Sequence, residues 1–134
     1  MAATPASFDV LVLDAFTSAA IPVHLLTREA LALYAQKLGT SGVVACHVSS
    51  RHLDLAAVVR ETAEDIGLAS TLDLEPEPPQ GAPAFVMGSD WVFLARSRGA
   101  LGARGLPSID WLSARKRGPI WTDDRSDLWS RFRW

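Results

Sequence analysis

The chain of 134 residues contains a single cysteine, Cys46, which excludes an internal disulfide and with it the small cross-linked scaffolds of secreted proteins. The opening MAATPAS has neither a basic n-region nor an apolar h-region, and no apolar run approaches the roughly 20 residues of a membrane span. A cytoplasmic chain with no membrane span is the expectation. Nucleotide-cradling loops are also lacking. The one glycine-rich run, Gly99 to Gly105, has the spacing GxxGxxG, neither the dinucleotide fingerprint nor a Walker loop, and reads as a flexible connector. His24, His47 and His52 miss the i, i+4 spacing of a helical zinc pair. Asp123, Asp124 and Asp127 lack the alternation and closing glutamate of a calcium loop, so Thr122 or Asp124 is expected to cap a last helix instead. No repeat of solenoid length occurs.

What is present is enough apolar material, 49% of residues, for one core, so 1–134 is read as a single domain. Charge is unevenly spread. The 13 Lys and Arg divide 4 to 9 between residues 1–94 and 95–134, while the 15 Asp and Glu divide 11 to 4. In the basic tail most arginines are interspersed with tryptophans and acids, and without a like-charge block of about five or more residues no nucleic-acid partner is expected. Internal pairing with the acidic half, or a docking face, suits those arginines better. Four of the five tryptophans (Trp111, Trp121, Trp129, Trp134) lie in this tail, which predicts that it packs onto something.

Periodicity gives an alternating order of strands and helices. Val10 to Leu13 is a continuous apolar run, the pattern of a strand covered on both faces. Pro22 and Thr27 are both helix starters, and Leu31, Tyr34 and Leu38 recur at helical spacing before Gly39, which is expected to stop the helix. Gly42 to Ser49 is a second buried strand. Asp54 then caps a helix whose Leu55, Val58, Val59, Thr62 and Ile66 form one stripe, closed by Gly67. Leu68 to Leu74 and Trp91 to Ala95 supply two more strands, joined through an exposed Pro-rich loop at 75–83. A short link of this kind makes them antiparallel neighbours. The expected fold is therefore α/β: a partial Rossmann-like sheet of about four strands, a parallel pair plus a C-terminal antiparallel hairpin, with flanking helices.

In open α/β sheets ligands sit outside the carboxyl ends of the strands, which places Asp14 where chemistry is expected. Ser49, Ser50 and Arg51 end the neighbouring strand and face the same crevice. Two readings of them stand: a grip for a small polar ligand, or an ion pair of Arg51 with Asp14. His47, inside the strand, reads as a hydrogen-bonded core residue, and Cys46 as an inert buried thiol.

The segments FDVLVLDAFTSAAIPVHLLTREA, GVVACHVSSRHLDL, SDWVFLARS and PIWTDDRSDLWSRFRW resemble the C-terminal half of the spermidine synthase-like proteins, on the class I S-adenosylmethionine methyltransferase fold. The resemblance runs from about Phe8 to Trp134. It implies the second half of that sheet, whose last two strands form an antiparallel hairpin. It also implies that Asp14 occupies the place of the carboxylate that takes a proton from the attacking amine and holds the polyamine. An ammonium is no nucleophile until a base removes its proton. The second aspartate that orients the amine in true spermidine synthases is replaced here by Thr17, and an acid common before Ala-Ile-Pro is replaced by Ala19. Only seven residues precede Phe8, so the nucleoside-binding strands and glycine turn of the family are expected to lie outside this chain.

On that expectation the strand at 9–14 becomes an edge, and a bare Val-Leu-Val-Leu edge is an aggregation hazard that something must cover. A second copy of the chain, the N-terminal residues folding back, or a partner protein fits that need. Two functions follow. One is a binding or oligomerising subunit with no cofactor of its own. The other is a component of a split aminopropyl- or methyltransferase, in which a partner supplies the site for S-adenosylmethionine or its decarboxylated form and Asp14 serves as base.

Overall fold

The computed structural model describes residues 7–14, 22–50, 52–74, 80–81, 83, 88–106 and 118–132. Along the chain these give strand β1 (Phe8–Leu13), a 3-10 turn (Val23–Leu25), helix α1 (Arg28–Lys37), strand β2 (Leu38–His47), helix α2 (Leu55–Asp65), strand β3 (Ala69–Asp73), strand β4 (Trp91–Ala95), helix α3 (Arg98–Ala103) and a closing 3-10 turn (Trp129–Arg131). The four strands make one sheet in the order β1-β2-β4-β3. β1 and β2 are parallel, β4 is antiparallel to both of its neighbours, and the expected α/β sheet with a parallel pair and a C-terminal hairpin is what forms.

Local chemistry accounts for most boundaries. Thr27 accepts the Ala30 N–H at the start of α1, and Asp54 accepts the Ala57 N–H at the start of α2. Gly67, at φ +77°, takes the left-handed conformation that ends α2. At Gly39 the expected stop has a different cause. No left-handed residue is used; Leu38 turns extended (φ −79°, ψ 140°) and α1 runs straight into β2 four residues earlier than the apolar run suggested. The early start is absorbed by an irregularity: from the Phe8–Leu38 pair to the Val10–Val43 pair β1 advances two residues and β2 five. Gly42 sits in that bulge, where a Cβ would come within 2.6 Å of the Phe8 carbonyl oxygen. Arg104 pins it by donating to the Ser41 carbonyl at 2.9 Å and to Asp9 at 3.0 Å.

One face of the sheet carries the main core. Leu26, Leu31, Val44, Cys46, Val48, Leu55, Val58, Val59, Val92, Leu94 and Trp121 are buried together, with Leu11 and Leu13 of β1 packed against them. The expected single stripe on α2 is too narrow: Leu55 through Ala63 are buried without a break. The reason is the tail, which returns over the outer side of α2, where Arg131 pairs with Glu61 at 2.7 Å with both side chains less than 5% exposed. The Arg131 and Arg104 pairs bear out internal pairing of tail arginines with the acidic half.

The opposite face is closed only in part. Ala100 and Leu101 of α3 bury against Val43 and Ala95, with Ser97 capping the helix at Ala100 N–H, so the glycine-rich run is in fact a short helix. A serine cap and two buried apolar residues outweigh the low helix propensity of its glycines. Coverage of β1 on both faces, expected from its apolar run, is not found: Phe8, Val10 and Val12 are exposed. In the tail, Thr122 accepts the Arg125 N–H and closes a turn, while Asp127 accepts the Ser130 N–H at the last 3-10 turn; neither Thr122 nor Asp124 caps a helix. Of the Pro-rich loop at 75–83, Gln80, Gly81 and Pro83 are exposed, while residues 75–79 and 82, with Trp111 and Trp134, lie outside the described residues.

Candidate functional site

The parallel register places Leu13 beside Cys46, so the next residues, Asp14 and His47, meet at the carboxyl ends of β1 and β2. Asp14 Oδ1 lies 2.9 Å from His47 Nδ1. On the other side of the ring, His47 Nε2 lies 2.8 Å from Ser49 Oγ. A carboxylate can only accept, so Nδ1 carries a proton, and in the tautomer with that proton alone Nε2 accepts from the Ser49 hydroxyl. His47 also pairs across the sheet with Trp91, and the two rings stack at 4.9 Å between centroids and 28° between planes.

Ser49 is fixed from behind. Its Oγ accepts the Asp90 N–H at 2.7 Å, and the Gly88 carbonyl, 3.5 Å away, is a longer and weaker competitor for its proton. The Val48 N–H donates to the Asp90 carbonyl at 2.8 Å, so the strand end and the residues leading into β4 are tied at two adjacent points. Trp91 is held in turn by its Nε1–H, which donates to Ser89 Oγ at 2.7 Å. The cluster is open to solvent, with 59% of the Asp14 side chain and 22% of the His47 side chain exposed.

Of the residues expected here, Asp14 and Ser49 are brought together. Ser50 is turned to a local task, accepting the Leu53 N–H ahead of α2. Thr17 and Arg51 lie outside the described residues, and the partner seen on Asp14 is His47. His47, which its apolar neighbours placed in the core, joins this cluster through both ring nitrogens. The signal was there in the i, i+2 spacing of His47 and Ser49, which puts both on one face of an extended chain, and in its step-for-step position beside Asp14.

Other titratable groups stand apart. Burial pushes the Cys46 thiol up to about 12, so it stays protonated and inert at neutral pH. Asp123 accepts the Thr27 hydroxyl at 2.6 Å, and its N–H donates to Glu29 at 3.0 Å, which ties the tail turn to the start of α1. Among the described residues no group of three or more His, Cys, Asp and Glu is placed to hold a metal ion, and no helix is long and apolar enough to cross a membrane. A cleft of about 260 Å³ lined by Glu61, Glu64, Asp65, Gly118 and Ile120 lies along α2, on elements separate from the strand-end cluster. No family model and no curated protein matches the chain.

Proposed function

We propose that this unit is a spermidine synthase-like interaction module whose β1 edge is completed by another strand, in the first instance that of a second copy. The observation that carries the reading is the state of β1. It terminates the sheet order, and Val10 and Val12 are 52% and 58% exposed. Among the described residues neither a proline, a lysine nor an inward charge protects the outer edge of Val10 to Leu13, the devices by which edge strands normally avoid pairing. Symmetric pairing of two such edges would give a continuous eight-stranded sheet, twice the four strands of one copy. Light scattering of the purified chain should return the mass of a dimer or larger assembly. A monomer at high concentration overturns the reading.

A second reading is favoured by Asp14 itself, an accessible carboxylate at a strand end whose oxygen accepts a hydrogen bond from His47. In that reading the module joins a nucleoside-binding polypeptide, which brings S-adenosylmethionine or its decarboxylated form, and Asp14 draws the proton from an amine acceptor. No cofactor belongs to the module alone. Titration calorimetry of the isolated chain with S-adenosylmethionine should give no binding heat, and micromolar binding overturns that assignment.

A further inference from the structure

Beyond association, the strand-end cluster has the order of groups that makes a hydroxyl nucleophilic. We infer that Ser49 accepts acyl groups from small alkyl or aryl esters, with His47 as its base and Asp14 as the positioning carboxylate. The two contacts, 2.9 Å from Asp14 to Nδ1 and 2.8 Å from Nε2 to Ser49 Oγ, run in the sequence carboxylate, imidazole, hydroxyl. Stacking on Trp91 holds the ring plane, so the nitrogens keep their partners. Strand alternation puts Val12 on the same face as Asp14, one step from the cluster and 58% exposed, next to Ala45 on β2. That apolar row suits a short hydrocarbon acyl or aryl group rather than a charged one.

The chemistry closes without a cofactor. Ser49 Oγ attacks the ester carbonyl carbon and forms the new C–O bond while the carbonyl π pair moves onto oxygen; the hydroxyl proton passes to Nε2. As the bond to the alcohol breaks, the leaving oxygen takes that proton, and Ser49 is left acylated. Water then attacks the acyl carbon, giving its proton to Nε2, and Oγ recovers the proton as the acid departs, so ester and water become acid and alcohol. Asp14 keeps its charge throughout and stabilises the imidazolium between transfers. The Asp90 N–H donates to Oγ itself at 2.7 Å and fixes the hydroxyl beside Nε2.

The test uses the full chain, a fluorophosphonate probe and p-nitrophenyl acetate, with the labelled residue located by peptide mass spectrometry. Neither reagent requires dimerisation, an amine or a nucleoside, so the outcome is separable from that of the association reading. Label should fall on Ser49, disappear in S49A and slow by roughly 100-fold in D14N and H47Q, with p-nitrophenol release following the same order. Asp14 is exposed enough for D14N to fold, and thermal melts identify a variant that does not. Absence of label at Ser49 in the folded wild-type chain overturns the inference. So does labelling whose rate D14N leaves unchanged, since that marks an accessible serine without a relay.

Discussion

The two faces of β1 differ in what lies over them. Leu11 and Leu13 enter the core formed with α1, α2 and Trp121, whereas Phe8, Val10 and Val12, alternating with them, stand in solvent. Both sides carry apolar residues; what differs is the layer laid over them. On the closed face two helices and the returning tail bury a continuous apolar mass. On the open face the six-residue α3 reaches Val43 and Ala95 but leaves β1 bare. Burial is therefore extensive on one side of the sheet and only partial on the other.

The largest effect should come from the residue that seals the closed face. Trp121 is 0% exposed, donates its indole N–H to the Asp127 carbonyl at 3.3 Å, and accepts the Arg28 N–H on its own carbonyl. Trp121→Ala removes a large buried ring and one of the two donors to the Asp127 carbonyl, and should destabilise the fold by about 4 kcal/mol. Urea unfolding measures it. A loss below about 1 kcal/mol would mean that the tail is not part of the closed layer and would break the contrast between the faces.

Next in size is the buried ion pair that clasps the tail over α2. Glu61 accepts from Arg131 at 2.7 Å and from the Gly118 N–H at 3.2 Å, while Arg131 also donates to the Pro119 carbonyl at 3.2 Å. Glu61→Ala strands a buried guanidinium and should cost about 3 kcal/mol, whereas the double change Glu61→Leu with Arg131→Met, which removes both charges, should cost clearly less. Unfolding curves of the two variants sharpen the point that the clasp matters through pairing rather than through charge as such. An equal or larger loss in the double variant defeats it.

Much of this architecture was legible because it rests on local chemistry. Thr27, Asp54 and Gly67 mark helix ends by side-chain acceptance or backbone freedom, and both work as the spacing predicts. The bounds of β4 were legible for a similar reason, since an apolar run flanked by polar residues needs no distant partner to be recognised. Layers were not legible. The apolar run of β1 fits a strand covered on two faces, and only the reach of α3 decides that one face stays open. Likewise Trp121 and Trp129 are alike in sequence, yet one is fully buried and the other 76% exposed. At the strand ends, Asp14 and Ser49 could be nominated from position alone, but the tie between them runs through His47 and depends on a register that the bulge at Gly39 to Gly42 shifts.

The smallest effect on stability is expected where association is read most directly. Val12 and Leu13 are neighbours on opposite faces, the first 58% exposed and the second packed on the core. Leu13→Ser should cost roughly 2 kcal/mol, because it takes apolar contact from the closed face and leaves a hydroxyl there. Val12→Ser should stay within about 0.5 kcal/mol, since water already reaches that side chain. Measured together by urea unfolding at low concentration, where pairing does not contribute, the two values report the covering of each face. Val12→Lys extends the comparison to self-association: a charge on the exposed face beside the open edge should lower the assembled fraction in light scattering while leaving the melting temperature of the monomer nearly unchanged. If Val12→Ser is as costly as Leu13→Ser at low concentration, β1 is covered on both faces within one copy, and the distinction between a structural and a recognition face fails at its most exposed residue.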